Sequence, residues 1–200
     1  MSQQNNLDLI FVMDRSGSMS GSEADTIGGF NSFIEREMKN DSNTRVTTVL
    51  FDDHYEMLYK RKPITEVKKM TDREYWVRGC TALLDAIGKT INTLDKEIDN
   101  KVLFVIMTDG MENASKEYSK DQIRSLIGNH NWEFIFIGAD IDSYSEARSI
   151  GIRKSRVANY KKSKKGFDDV FCSLRKASYS VRNDIDLEKA NWSEDLKKYD

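Results

Sequence analysis

Short apolar runs recur along the chain and predict the strands of a β-sheet. Four of them end at small or acidic residues and lie at positions 8–13, 46–51, 102–107 and 134–137. Nearly continuous hydrophobic runs of this length are typical of parallel strands that are buried on both faces. We therefore expect these segments in the centre of a sheet, with loops at their carboxyl ends.

Between these runs, apolar residues recur every three or four positions, which is the spacing of helices that pack on one side. The segments with this pattern are 27–38, 84–98, 123–127 and 144–150. Strands that alternate with helices favour an α/β fold with a parallel sheet. Ligands of such folds bind beyond the carboxyl ends of the strands, so the loops there are the first place to look for function.

One interval breaks the alternation of strands and helices. Asp52, Asp53 and His54 separate two strand-like stretches by too few residues for a crossover helix, which predicts a β-hairpin. We therefore expect a three-layer, doubly wound α/β fold. Its sheet should be mainly parallel with one antiparallel edge strand, and helices should cover both faces.

Composition and charge narrow the class of protein. The 200 residues include 38% hydrophobic and 10% aromatic residues, which is enough for one folded domain with a substantial core. The net charge of −2 makes general binding to nucleic acid unexpected. The apolar runs are far shorter than the roughly 20 residues of a membrane-spanning helix, and the polar first residues do not resemble a signal peptide. We expect a cytoplasmic protein with no membrane partner.

Two cysteines, Cys80 and Cys172, match no metal-binding or redox spacing, which suits a reducing compartment. Cys172 falls within the apolar positions of the last predicted helix, so we expect it in the core. Cys80 has no neighbouring histidine that would support a nucleophile. We therefore assign neither cysteine a chemical role.

The segment 153–182 is strongly basic, with ten Lys and Arg residues against two Asp. Its apolar residues keep helical spacing and predict an amphipathic helix with a solvated basic face. The alternative is a surface for an acidic partner or a nucleic acid. We expect one domain over residues 1–182, followed by a tail over 183–200 that docks as a short helix or stays mobile.

Hydroxyl and carboxylate side chains follow three of the predicted strands or open the next helix. Asp14, Ser16 and Ser18 come directly after the first strand, Thr81 precedes a helix, and Asp109 ends a later strand. Because the carboxyl ends of parallel strands meet at one edge of a sheet, these oxygens are expected to converge. Oxygen ligands of this kind suit a hard cation such as Mg²⁺.

At these five positions the chain resembles the von Willebrand factor A (vWA) domain family and its metal-ion-dependent adhesion site. The family pattern is Asp-x-Ser-x-Ser, then Thr, then Asp, in the order found here, and the resemblance extends from about residue 7 to residue 181. It implies a Rossmann-like fold with a six-stranded sheet. It also implies that the five residues hold Mg²⁺ or Mn²⁺, and that an Asp or Glu of a protein partner completes the coordination.

The resemblance further implies a binding module without catalytic turnover. Arg15, Arg78 and Asn113 lie on or beside the three loops, and we name them as candidate contacts for the partner. Cys80 is a departure from the family, since many members carry a second glycine or another small residue there.

Two alternative functions stay open from the sequence. A phosphatase of the haloacid dehalogenase type would use Asp14 as its nucleophile, with Thr108, Asp140 and Asp142 as later motifs. That family normally has a second Asp as general acid where this chain has Ser16. A nucleic-acid binder would act through the basic helix, with steep salt dependence and no need for metal.

Overall fold

The computed structural model describes residues 6–40 and 43–200. Within these ranges the strands are β1 (Leu7–Asp14), β2 (Arg45–Phe51), β3 (Tyr55–Pro63), β4 (Lys101–Thr108), β5 (Glu133–Gly138) and β6 (Val157–Asn159). The α-helices are α1 (Glu23–Asn40), α2 (Leu83–Leu94), α3 (Lys120–Asn129), α4 (Ser143–Ser149) and α5 (Lys164–Arg182).

The six strands form one sheet in the order β3-β2-β1-β4-β5-β6. All neighbouring strands are parallel except β2 and β3, which form the predicted antiparallel hairpin at one edge. The expected three-layer α/β fold is confirmed. Every residue of β1 is buried, because this strand has a neighbour on each side and helices over both faces.

Successive residues of β1 point to opposite faces of the sheet, so the strand contributes to two apolar cores. Leu9 and Phe11 pack in the core beneath α1 and α5, whereas Ile10 and Val12 pack in the core beneath α2, α3 and α4. The chain leaves β1 towards β2 on one side, and β4 lies on the other. The carboxyl ends of β1 and β4 therefore flank the crevice where ligands bind in folds of this kind.

Helix α5 has the amphipathic pattern expected of it, and its core-facing side chains are buried: Phe167, Val170, Phe171, Leu174, Ala177 and Val181. The expectation that Cys172 lies in the core is wrong, because this thiol is exposed. Cys172 follows the buried Phe171 by one position. Because one step along a helix turns a side chain by about 100°, the thiol lies outside the buried face.

The segment 183–200 packs back onto the domain and ends in a 3₁₀ helix, Glu194–Tyr199. Leu187, Trp192 and Leu196 are buried in the same core as α1 and α5. The indole N–H of Trp192 donates a hydrogen bond of 2.9 Å to the carbonyl oxygen of Ser155, which anchors the segment beside β6.

Two elements differ from the sequence pattern. Strand β6 has three residues and lies where no apolar run marks it, and α2 ends at Leu94, so that Ile98 lies beyond the helix. No helix in the described parts of the chain is long and apolar enough to span a membrane.

Candidate metal centre

Asp14 is the last residue of β1, and the loop that follows turns back over its side chain. Its Oδ1 accepts a 2.7 Å hydrogen bond from the backbone N–H of Ser16, and its Oδ2 accepts one of 2.6 Å from the hydroxyl of Thr108 at the end of β4. The phenol of Tyr75 donates to the carbonyl of Asp14 at 2.6 Å. These contacts fix the carboxylate between β1 and β4.

The carboxyl group of Asp14 is 1% exposed, and this burial disfavours its charged form. Burial raises the pKa of Asp14 from 3.8 to about 6, although the hydrogen bonds from Thr108 and Ser16 oppose the shift. The nearby negative charge of Asp109 adds to the increase. A cation bound at this place would favour the ionised carboxylate and return the pKa towards its ordinary range.

Direct hydrogen bonds connect the first loop to the loop after β4. The hydroxyl oxygens of Ser16 and Ser18 lie 3.0 Å apart, and the Ser18 hydroxyl donates to Oδ1 of Asp109 at 2.5 Å. Ser18 is exposed, whereas Asp14, Ser16 and Asp109 are buried. The cluster of oxygens can therefore be reached from the side of Ser18.

Thr81 belongs to the same cluster, because its hydroxyl and that of Ser18 both lie close to Gly110. A β-carbon at position 110 would lie 2.6 Å from Oγ1 of Thr81 and 3.3 Å from Oγ of Ser18, so only glycine leaves both hydroxyls undisturbed. The structure thus brings together the five residues named from the sequence: Asp14, Ser16, Ser18, Thr81 and Asp109.

The segment that carries Thr81 is held by the loop after β4. The amide oxygen of Asn113 accepts a 2.9 Å hydrogen bond from the N–H of Thr81, and the carbonyl of Thr81 accepts from the N–H groups of Asn113 and Ala114. Asn113 is exposed, but this contact gives it a structural role in placing the Thr81 hydroxyl. The sequence alone gave no sign of this role, because the two residues are 32 positions apart.

Two acidic side chains attach the amino-terminal end of α2 to the same loop. Glu112 accepts hydrogen bonds from the N–H of Leu84 and from the N–H and hydroxyl groups of Ser115. The carboxylate of Asp85 accepts three backbone hydrogen bonds of 2.9 Å, from Lys116, Glu117 and Tyr118. Asp85 therefore stabilises the loop rather than the oxygen cluster.

Lys162 also contacts the cluster, although no local sequence pattern indicates it. It lies between β6 and α5, and its ammonium donates to Oδ2 of Asp109 at 2.9 Å, to Asp140 at 3.0 Å and to the carbonyl of Ser18 at 3.3 Å. Partial burial would lower the pKa of Lys162, but the hydrogen bonds and negative charges of Asp109 and Asp140 outweigh this effect and raise it.

The sequence matches the family model of the von Willebrand factor type A domain over residues 8–171, which is most of its length. The chain belongs to the vWA domain family. Curated protein sequences give no match to it.

Several solved structures have a fold similar to that of this vWA domain. Proximal thread matrix protein 1 from the mussel byssus aligns with a TM-score of 0.66 and 17% identity, over 86% of this chain and 46% of that one. A D319A mutant of the PilB minor pilin from Streptococcus sanguinis aligns with a TM-score of 0.68 and 12% identity, over 92% of this chain and 63% of that one. Manganese-loaded TRAP protein from Plasmodium vivax aligns with a TM-score of 0.57 and 19% identity, over 79% of this chain and 69% of that one.

These identities are low, so the structural similarity shows the fold alone. The vWA domain described here spans less than two thirds of the mussel and streptococcal chains.

The oxygen cluster of this vWA domain has the donor set of a site for a hard divalent cation. It offers two carboxylates and three hydroxyls, and Mg²⁺ and Mn²⁺ prefer such ligands. Gly110 leaves the space between Thr81 and Ser18 free of a side chain. The ammonium of Lys162 on Asp109 shows that this carboxylate attracts positive charge. The residues present therefore fit a divalent metal ion.

The expectation that Arg15 contacts a partner does not agree with its position. Arg15 is 1% exposed, and its guanidinium binds Asp52 at 3.0 Å and Glu56 at 2.6 Å. Arg78 also binds Asp52, at 2.9 Å, and stacks on Trp76 with 4.5 Å between the guanidinium carbon and the ring centre. Arg78 and Trp76 are partly exposed, so this part of the surface stays available to a partner.

Asp52 connects the hairpin to the loops around the oxygen cluster. Burial of Asp52 opposes its ionisation, but hydrogen bonds from Arg78, His54 and Arg15 outweigh that effect and lower its pKa. Ligand atoms of Asp52, Asp53 and His54 lie within 4.8 Å of one another. Because two guanidinium groups already compensate the charge of Asp52, we assign this group a structural role.

The residues that a phosphatase would use have other contacts. Asp140 pairs with Lys162, and Asp142 accepts a 3.0 Å hydrogen bond from the N–H of Ser145 as the N-cap of α4. Thr108 donates its hydroxyl to Asp14.

Much of the basic charge in segment 153–182 is paired within the chain. Arg156 binds Glu133 at 2.8 Å, Lys176 binds Asp195 at 2.7 Å, and Arg182 binds the buried Glu37 at 3.1 Å. These pairs reduce the positive potential that a nucleic acid would meet.

Proposed function

We propose that this vWA domain is a binding module that recognises a carboxylate of a protein partner through Mg²⁺ or Mn²⁺. The ion would be held by the five clustered residues Asp14, Ser16, Ser18, Thr81 and Asp109. The observation that carries the proposal is the hydrogen-bonded connection from Asp14 through Ser16 and Ser18 to Asp109. When bound, the dication supplies an electron-poor position that attracts an anionic oxygen.

The chain's own residues prepare the site for this role. Thr108 and the N–H of Ser16 hold the carboxylate of Asp14 in one orientation, and Asn113 places the Thr81 segment. Ser18 lies on the exposed side, where a partner would approach. Because the two carboxylates of the cluster would only balance the charge of a dication, the ion would stay electron-poor enough to attract a third carboxylate.

Binding without turnover is the better-supported class of function. Members of this family are in general adhesion or scaffold modules that bind proteins. The similar fold of the manganese-loaded Plasmodium vivax protein supports a divalent metal as ligand. Phosphatase chemistry has less support, since Ser16 stands at the position of the general acid and Asp142 is used as a cap. Two free, exposed cysteines suit the reducing cytoplasm in which we place the protein.

Titration calorimetry with Mg²⁺ tests the metal site. Asp14→Asn keeps the size of the side chain but removes its charge, and we expect it to weaken Mg²⁺ binding more than about a hundredfold. Ser16→Ala should weaken binding less and leave the fold intact. Ser20→Ala is the matched control, because Ser20 is exposed and lies just beyond the cluster. Unchanged affinity in Asp14→Asn would contradict the proposal.

A pull-down from native extract tests recognition of a partner. It compares wild type with Mg²⁺, wild type with EDTA, and Asp14→Asn with Mg²⁺. A partner that binds only in the first condition supports metal-bridged recognition. A partner that binds in all three conditions would move the interaction to another surface, with the basic face of α5 as the next candidate.

A further inference from the structure

The ammonium of Lys162 is held at the oxygen cluster by three hydrogen bonds, whose acceptor oxygens belong to three separate loops. Its acceptors are Asp109 after β4, Asp140 after β5 and the carbonyl of Ser18 after β1. An ammonium group has three N–H donors, so all of them are used. The Lys162 side chain is 26% exposed, which makes it more confined than an ordinary surface lysine.

The carboxylate of Asp109 has no exposed surface, and both of its oxygens are engaged. Oδ1 accepts the hydroxyl of Ser18, and Oδ2 accepts the ammonium of Lys162. A metal ion that binds Asp109 must therefore share this carboxylate with the ammonium or displace it. Either course costs energy, because two positive charges a few ångströms apart repel each other in a partly desolvated site.

We propose that Lys162 is a tethered competing cation that lowers the affinity of the metal centre. This inference rests on the proposed function, since it takes Asp109 as part of the metal site. Lys162 neutralises Asp109 when no metal is bound, and it gives up that contact when a dication arrives. By linkage, the contact between Lys162 and Asp109 weakens metal binding by the same factor by which metal binding weakens that contact.

Asp140 gives the displaced ammonium a second anchor. Its side chain is 63% exposed, and it accepts the ammonium at 3.0 Å from outside the buried part of the cluster. Lys162 can therefore leave Asp109 and keep an ion pair near solvent. The competition is graded for this reason: the lysine reduces metal affinity without preventing binding.

Calorimetric titration with Mg²⁺ alone tests the proposal on four proteins: wild type, Lys162→Met, Lys162→Arg and Lys161→Met. Lys162→Met removes the charge at similar length, and we expect it to tighten Mg²⁺ binding about tenfold. Lys162→Arg keeps the charge but not the three-acceptor geometry of the ammonium, and it should bind Mg²⁺ more weakly than Lys162→Met. Lys161→Met removes an exposed charge one residue away and should also stay within about twofold.

Thermal unfolding gives a second measurement, and its arm in EDTA does not depend on Mg²⁺ affinity. In EDTA, Lys162→Met should melt below wild type, because the buried Asp109 has lost its counter-ion. In saturating Mg²⁺ the difference should close or change sign, because the dication replaces the missing charge.

Unchanged or weakened Mg²⁺ binding in Lys162→Met would overturn the inference, and so would equal tightening in Lys161→Met. Asp14→Asn separates this failure from that of the metal site. If Asp14→Asn abolishes binding while Lys162→Met has no effect, the metal site stands and only the competition is wrong. If Asp14→Asn still binds Mg²⁺ normally, the metal site itself is wrong.

Discussion

Asp14 is a carboxylate that is held in one orientation although its burial disfavours the ionised form. It ends a strand whose eight residues are all buried, and its oxygens are directed by Thr108 and the N–H of Ser16. The pKa of Asp14 is raised to about 6, mainly by burial, and these hydrogen bonds only partly oppose the rise. A buried carboxylate of this kind is often found where a protein binds or reacts with a ligand.

Gly110 is the residue whose replacement should weaken metal binding by filling the space beside two hydroxyls of the cluster. In Gly110→Ala the new methyl group would press on the hydroxyls of Thr81 and Ser18, so we expect Mg²⁺ affinity to fall at least about tenfold. The overpacking should cost about 1–3 kcal/mol of stability. Gly28→Ala is the control, since nothing lies within 4 Å of its β-carbon position in α1, and it should stabilise the protein by about 0.5–1 kcal/mol. Calorimetry and urea unfolding measure the two effects, and full Mg²⁺ affinity in Gly110→Ala would contradict this role.

The five residues of the oxygen cluster could be named from the sequence because each follows a strand or precedes a helix in a recognisable order. Lys162 could not, because its partner Asp109 is 53 positions away and no local pattern connects them. The burial of Arg15 could not be predicted from the sequence for a similar reason. Its buried position depends on Asp52 and Glu56, which reach it only after β1 and β2 have paired.

At the scale of elements, apolar runs and helical spacing were sufficient to predict the central strands, the hairpin and the helices. These elements bury continuous apolar surface, which leaves a clear pattern in the sequence. Strand β6 left no such pattern, because three residues at the edge of a sheet need only a few backbone hydrogen bonds to β5. Cys172 shows that the boundary of an apolar face is harder to predict than its centre.

The hairpin of β2 and β3 is tied to the loops of the oxygen cluster by Asp52, and this tie should depend on pH. The folded pKa of Asp52 is lowered, so its contribution to stability is present above the ordinary value of 3.8 and is lost as pH falls below it. Asp52→Asn should cost about 3–5 kcal/mol near pH 7, because Arg15 then stays buried with only the half-exposed Glu56 as its counter-ion.

Urea unfolding between pH 7 and pH 2.5 checks this prediction for Asp52. The difference in unfolding free energy between wild type and Asp52→Asn should narrow as pH falls below about 4. Asp53→Asn, at an exposed neighbouring position, should show a much smaller difference. A difference for Asp52→Asn that stays constant with pH would rule out the ion pairs as its source.

At the scale of the whole molecule, the segment 183–200 completes the core on the side of α1 and α5. Trp192 is 1% exposed there, whereas Trp76, which contacts Arg15 and Arg78, is 44% exposed. Trp192→Ala should therefore destabilise the protein by about 3–5 kcal/mol, and Trp76→Ala by about 1 kcal/mol or less. Thermal and urea unfolding compare the two variants. A stability loss of about 1 kcal/mol or less in Trp192→Ala as well would mean that the segment contributes little to the core.

The order of the strands also determines when the oxygen cluster is completed during folding. Ser18 and Asp109 are 91 positions apart in the sequence, although they are hydrogen-bonded in the folded protein. Strand β1 acquires a neighbour on its second side only when β4 pairs with it. Closing so long a stretch of chain is a slow, costly step. While the polypeptide is being synthesised, its first half therefore lacks part of the proposed metal site. Metal ions would stabilise only a chain whose sheet is already assembled.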